Sequence, residues 1–197
     1  MSNKEIQEQR MRGYFIQATK DILKGEGLKS ISVRNIAERA GYSYATLYNY
    51  FKDVKDLVFE CVLDFQEECE DFIQKETKKA PAGLDKIKAI SKAYIKYFVQ
   101  YPGIFELFFL ERTSDFAGKK NTGELIYIFY DKVCEEEWKA CIKNKIVNEN
   151  DAEIIKAVLK NVIAGLLLFY NNRRQPAAYK TFTELTDSQL NYIFQIR

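Results

Sequence analysis

The sequence predicts an all-α chain of about nine helices, on three observations. Apolar residues recur at spacings of three and four through nearly every segment. The three prolines, Pro81, Pro102 and Pro176, fall between those segments rather than inside them. No pair of alternating apolar and polar runs joined by a turn signal is present, and neither is a repeat or a low-complexity tract. At 197 residues, 47% hydrophobic and 29% charged, the chain is long enough to bury a core and too apolar to stay unfolded.

The elements follow in order. Met11, Tyr14, Phe15, Ala18 and Ile22 give a first helix, ended by Gly25 and Gly27. Val33, Ile36, Ala37 and Ala40 give a short second helix, with Ser30 or Ser32 as N-cap and Gly41 as its break. Ser43 caps a third helix carrying Leu47, Tyr50 and Phe51. Asp53 caps a fourth, whose stripe runs from Val54 to Ile73. After the break at Lys79–Gly83, Leu84 to Tyr101 form a fifth helix, stopped by Pro102. Ile104 to Arg112 form a short aromatic sixth. Gly118 to Gly123 (GKKNTG) read as a loop, followed by a seventh helix to about Lys145. An eighth runs from Asp151 to Asn172 and a ninth from about Phe182 to Ile196. The apolar surface of the eighth is wider than one buried face requires.

Composition excludes several functions. The chain has no histidine, so imidazole bases, His-containing zinc sites and Glu-x-x-His di-iron sites are all unavailable. No metal site is expected, and Glu135-Glu136-Glu137 reads as a solvated face. Net charge is +2 overall, but residues 1–55 carry ten Lys/Arg against six Asp/Glu. A basic N-terminal end follows, although an excess of this size is weak by itself. Cys61, Cys69, Cys134 and Cys141 lack a C-x-x-C spacing, and the first residues (MSNKEIQEQRMR) are polar. Reduced, packed thiols in a cytoplasmic protein are the expectation, with redox sensing the minor alternative. The longest apolar run, Val162 to Tyr170, is too short to span a bilayer, and no membrane partner is expected.

The most specific stretch is Ser32–Lys55, SVRNIAERAGYSYATLYNYFKDVK. Two short helices meet at a glycine-containing turn, the outline of a helix-turn-helix. Ala37 is small where crossing helices approach, and Gly41 supplies the turn. With Leu47, Tyr50 and Phe51 facing inward, Tyr44, Ala45, Tyr48 and Asn49 stand on the other side of the third helix. That uncharged, hydrogen-bonding face suits base edges and phosphate oxygens. A glycine-containing helix pair also occurs in proteins that bind no DNA, and two exposed tyrosines also suit a protein partner.

GYSYATLYNYFKDVKDL, preceded by SVRNIAERAG, resembles the DNA-binding signature of the tetracycline-repressor (TetR) family of bacterial transcription regulators. The likeness covers roughly residues 10–62 and includes Ala37, Gly41, Ser43, Thr46, Leu47, Tyr48 and Phe51 in register. It implies a helix-turn-helix head over residues 1–55 and a helical ligand-binding and dimerisation body over 56–197. It also implies that residues 44–50 enter the major groove of double-stranded operator DNA. Ser32 and Arg34 match positions that touch phosphate or a base, and Ser43, Thr46 and Tyr48 match phosphate-contacting positions. Tyr44, Ala45 and Asn49 are then the candidates for base edges. Two departures stand out. Val54 replaces a phosphate-binding lysine common in the family, leaving Lys52 or Lys55 to take that contact. Tyr42 replaces a smaller aliphatic residue.

The resemblance further implies a largely apolar or aromatic small-molecule effector and no cofactor. The candidate pocket residues are Tyr94, Phe98, Phe105, Phe109, Tyr127, Tyr130, Trp138 and Phe169, although ordinary core packing accounts for most aromatics of this kind. It implies a homodimer sealed by the eighth and ninth helices, with Ile155, Leu159, Val162, Leu166, Leu190, Ile193 and Phe194 as candidate seam residues. Ala164 and Gly165 would permit close approach there. Arg10 and Arg12 read equally as a DNA-reaching arm and as solvated side chains. Two rival functions remain: a helical enzyme, for which no histidine, phosphate loop or paired nucleophile and base is present, and an interaction module that has lost DNA binding.

Overall fold

The backbone is helical because the buried part of each apolar stripe packs against neighbouring helices. A computed structural model describes residues 2–111, 122–173 and 175–195. Among these, nine α-helices follow one another: α1 (Asn3–Gly25), α2 (Val33–Ala40), α3 (Tyr44–Tyr48), α4 (Val54–Thr77), α5 (Leu84–Gln100), α6 (Pro102–Phe105), α7 (Thr122–Lys143), α8 (Glu149–Asn171) and α9 (Tyr179–Gln195). A 3-10 turn, Leu28–Ser30, precedes α2, and a π-helical turn, Glu106–Leu110, continues α6. No strand occurs among the described residues.

Several helix ends rest on the chemistry expected of them. Ser32 Oγ accepts from Asn35 N at 3.1 Å, and Ser43 Oγ accepts from Thr46 N at 3.1 Å. Asp53 Oδ1 accepts from Lys55 N at 3.2 Å at the start of α4. Asn148 Oδ1 accepts from Asp151 N at 2.8 Å, so α8 begins two residues earlier than the apolar pattern suggests. The sixth helix also starts early, because Pro102 takes its first turn, where a missing N–H costs nothing. Its expected end at Arg112, most of the 118–123 loop, and Ile196 lie outside the described residues.

By packing, the chain divides into two units: Met1–Glu67 with Tyr101–Ile126, and Glu68–Gln100 with Tyr127–Arg197. In the first, Phe15, Ala18, Ile22, Ile36, Leu47, Phe51 and Leu57 form one buried cluster. Each large member contributes about 1.5–3 kcal/mol through burial, which is how short helices such as α2 and α3 are held. The C-terminal end of α1 packs on α6, and Lys20 Nζ meets Asp64 Oδ2 at 3.0 Å. In the second unit, α5 packs on α8 and α9, and α8 on α9. Ile87, Tyr94 and Phe98 of α5 are buried there, as are Leu159, Ile163 and Leu167 of α8 and Phe182 and Leu190 of α9. All four cysteines are free thiols and buried.

Candidate nucleic-acid interface

The helix-turn-helix is held by its turn. Gly41 adopts φ +77°, a left-handed conformation that a side chain would strain. Gly41 N then donates to Glu38 O at 3.1 Å and Tyr42 N to Ala37 O at 2.9 Å, closing α2. The Tyr42 ring stacks on Tyr14 at 6.0 Å and lies 5.7 Å from Phe15, so the larger residue after the turn docks against α1. Leu47 anchors the inner side of α3 in the core, and Phe51 is buried there from beyond the end of the helix, which stops at Tyr48, short of the expected Phe51.

The outer side of α3 is open. Tyr44 is 67% and Tyr48 53% exposed, and Ala45 and Asn49 are exposed beside them. The sequence places these four together and the structure keeps them so. Ser43 lies at the start of the same helix, with Thr46 half-buried behind it. The Ser43 and Thr46 hydroxyl oxygens are 2.9 Å apart. One hydroxyl proton is shared between this pair, which leaves the other to be offered to an anion. Ser32 caps α2 in the same manner, and Arg34 is exposed one residue into that helix. At the α3–α4 junction Lys52 and Lys55 are exposed, and Val54 between them packs against the head core.

Residues 15–61 match the family model of bacterial regulatory proteins, tetR family. The match runs from Phe15 in α1 to Cys61 in α4. The fold around it is likewise that of solved regulators. A TetR family transcription regulator from Marinobacter aquaeolei VT8 is 16% identical, with a TM-score of 0.63, over 96% of each chain. The transcriptional regulator FadR from Bacillus subtilis, solved with stearoyl-CoA, is 15% identical with a TM-score of 0.68, over 92% of this chain and 97% of that one. A putative fatty acid metabolism regulator from Clostridium perfringens is 17% identical with a TM-score of 0.65, over 92% and 96%. No curated protein matches.

Just ahead of the matched segment, Arg12 has a role that neither reading of the sequence gave it. Its Nη1 donates to Tyr50 O at 2.6 Å, its guanidinium lies 4.2 Å over the Phe51 ring, and its Nη2 is 3.7 Å from Glu60 Oε1. It fastens α1 to the end of α3 and is no arm. Arg39 pairs with Glu26. Neither contact was visible in the sequence, since the partners lie 38 and 13 residues away.

The candidate pocket aromatics fall in both units. Tyr94, Phe98, Tyr130 and Trp138 are buried in the second unit, with Tyr94 4.8 Å from Phe98 and 5.1 Å from Tyr130 by ring centroids. Ser91 Oγ donates to Ile87 O at 2.8 Å, so the Tyr130 hydroxyl, 2.6 Å away, donates to Ser91. Phe105 and Phe109 stack at 5.2 Å in the first unit. Tyr127 and Phe169 are 70% and 49% exposed, Tyr127 lying 4.5 Å under the Lys160 ammonium. Both point outward because they sit on the solvent sides of α7 and α8.

The candidate seam residues divide in the same way. Leu159, Leu166, Leu190 and Ile193 are buried in their own chain, and Ile155, Val162 and Phe194 are half-buried. The open side of α8 is carried by Ile154, Val158, Leu168 and Phe169, with Gly165 facing empty space. On α9, Leu185 and Tyr192 are exposed. The excess width of the eighth stripe was the available signal. Which edge of it stays uncovered is set by α5 and α9. Glu135 and Glu136 pair with Lys139 at 2.8 and 2.9 Å, and Glu137 Oε2 accepts from Gly83 N at 3.1 Å.

Proposed function

We propose that this chain is a sequence-specific DNA-binding transcription regulator, a repressor that acts as a homodimer on a pseudo-palindromic operator. Residues 1–55 are the DNA-binding head and 56–197 the effector-binding and dimerisation body. The observation that carries this is the uncharged, open face of α3, Tyr44, Ala45, Tyr48 and Asn49, backed by the buried Leu47. A surface of that kind can donate to phosphates and approach base edges without excluding any of the four bases by charge. Ser43, Thr46, Tyr48, Lys52 and Lys55 supply the contacts to the backbone, and Ser32 and Arg34 reach phosphate or a base from the start of α2. In a twofold dimer the two α3 helices are set about one DNA turn, roughly 34–36 Å, apart.

The seam is the open edge of α8, from Ile154 to Phe169, with α9 beside it. An exposed apolar stripe running the length of a helix is costly in water and is relieved by a second copy. The effector is a small molecule with a large apolar part, held in the aromatic body. The stearoyl-CoA complex of FadR supports an acyl chain as that part. The effector acts through α4, which continues from the head into the body, by preferring a dimer whose heads misfit the half-sites. Only its differential affinity for that state moves the equilibrium.

Genome-wide selection of DNA fragments by the purified protein tests the proposal. A small set of fragments sharing an inverted repeat, bound more weakly as salt rises, is expected. Retarded mobility on no fragment, at low salt and with dimeric protein, would overturn it.

A further inference from the structure

We infer that α3 reads a block of A·T pairs in each half-site, through thymine methyl groups and one adenine, with no guanine opposite the helix. This rests on the DNA-binding reading above and specifies the DNA it takes. In the major groove, guanine presents two acceptors, N7 and O6, which are read most often by the paired donors of Arg or by Lys. The exposed side chains of α3 and its two caps are Ser43, Tyr44, Ala45, Tyr48 and Asn49. None carries a cation. A tyrosine hydroxyl gives one proton, so it cannot span both guanine acceptors. The Ala45 methyl and the tyrosine rings are apolar surfaces, which fit the C5 methyl that only thymine presents. The Asn49 carboxamide carries a donor and an acceptor side by side, the pattern that matches N7 and N6 of adenine.

The nearby cations do not supply what α3 lacks. Arg12 is spent on Tyr50 O and the Phe51 ring, and Arg39 on Glu26. Lys52 and Lys55 follow α3, at the junction that leads into α4. Arg34 is exposed, but it belongs to α2. Guanine recognition, where the site has any, falls outside the block that α3 covers and depends on Arg34.

Repeated selection from a random duplex library by the full-length protein, at one fixed salt concentration, tests this. The wild-type protein is expected to select at least three consecutive A·T pairs in each half-site. Asn49→Ala should lose the preference at one adenine by roughly tenfold. Arg34→Ala should leave the A·T block intact and remove any flanking guanine. Ala45→Arg should convert one A·T position to guanine, which a merely structural role for Ala45 would not produce. A guanine fixed inside the block by the wild-type protein, or an unchanged block in folded Asn49→Ala protein, overturns the inference and leaves DNA binding standing. Selection of no sequence by folded wild-type protein overturns the DNA-binding reading, and this inference with it.

Discussion

Gly103 lies against the carbonyl oxygen of Leu23 so closely that a Cβ at position 103 would stand 1.8 Å from it. The third residue of that contact is Gly27, whose Cα would be 3.0 Å away. Backbone meets backbone here, and neither side has a flexible end that can yield. Gly103→Ala must therefore part α6 from α1, at about 1–3 kcal/mol as for overpacked cores. A lower urea midpoint than wild type is expected, and an unchanged midpoint would refute the contact. Gly13→Ala, where a Cβ meets nothing within 4 Å, is the control and should not destabilise.

Arg12 and Lys55 should separate stability from DNA affinity. Arg12→Ala loses a charged hydrogen bond to Tyr50 O and should cost about 1.5–3 kcal/mol of stability. Where the protein stays folded, the slope of log Kd against log salt should not change. Lys55→Ala should do the reverse: unfolding as in wild type, and a salt slope smaller by about 1. Tyr48→Phe should weaken all sequences alike, since it removes the hydroxyl proposed to contact phosphate. A slope change in Arg12→Ala alone would return that residue to the DNA surface.

Val158 and Leu159 are neighbours with opposite fates. Val158 is on the open edge of α8 and Leu159 is wholly buried. Val158→Asp should halve the mass seen by light scattering and leave the helical circular dichroism in place. Leu159→Asp should unfold the second unit, because a carboxylate buried without a partner is not tolerated. A Val158→Asp protein that remains dimeric would move the seam elsewhere.

The thiols should be silent in the folded protein and should make it sensitive to alkali. Burial pushes the Cys134 thiol up to about 12 and the Cys69 thiol well above its usual value. Burial likewise holds the Tyr94 and Tyr130 phenols well above theirs. In the unfolded chain thiols lose their protons near pH 8.5 and phenols near pH 10. Above those values the unfolded state binds fewer protons than the native one, so stability falls as pH rises. Below about pH 8 both states are protonated, and these groups make no difference. The urea midpoint should therefore decline from about pH 8.5 to 11. A thiol reagent at neutral pH should label the cysteines only in denaturant, and rapid native labelling would revive redox sensing.

What the sequence determined by itself was local. Helical period, Ser43 and Asp53 as caps, a serine cap for α2 at Ser30 or Ser32, Gly41 as the turn, and the outward face of α3 are all written within a few residues of where they act. The head was legible for that reason: its core, Phe15, Ile36, Leu47 and Phe51, comes from helices joined by short turns. The tertiary structure decided which edge of each stripe is covered. Leu159 and Val158 are both apolar and adjacent, and only α5 and α9, packed from elsewhere in the chain, bury one and leave the other open. Tyr127 and Phe169 face outward, and Arg12 is drawn inward by a carbonyl 38 residues away, for the same reason. Periodicity gives the width of an apolar face, and long-range packing selects the part of it that becomes surface.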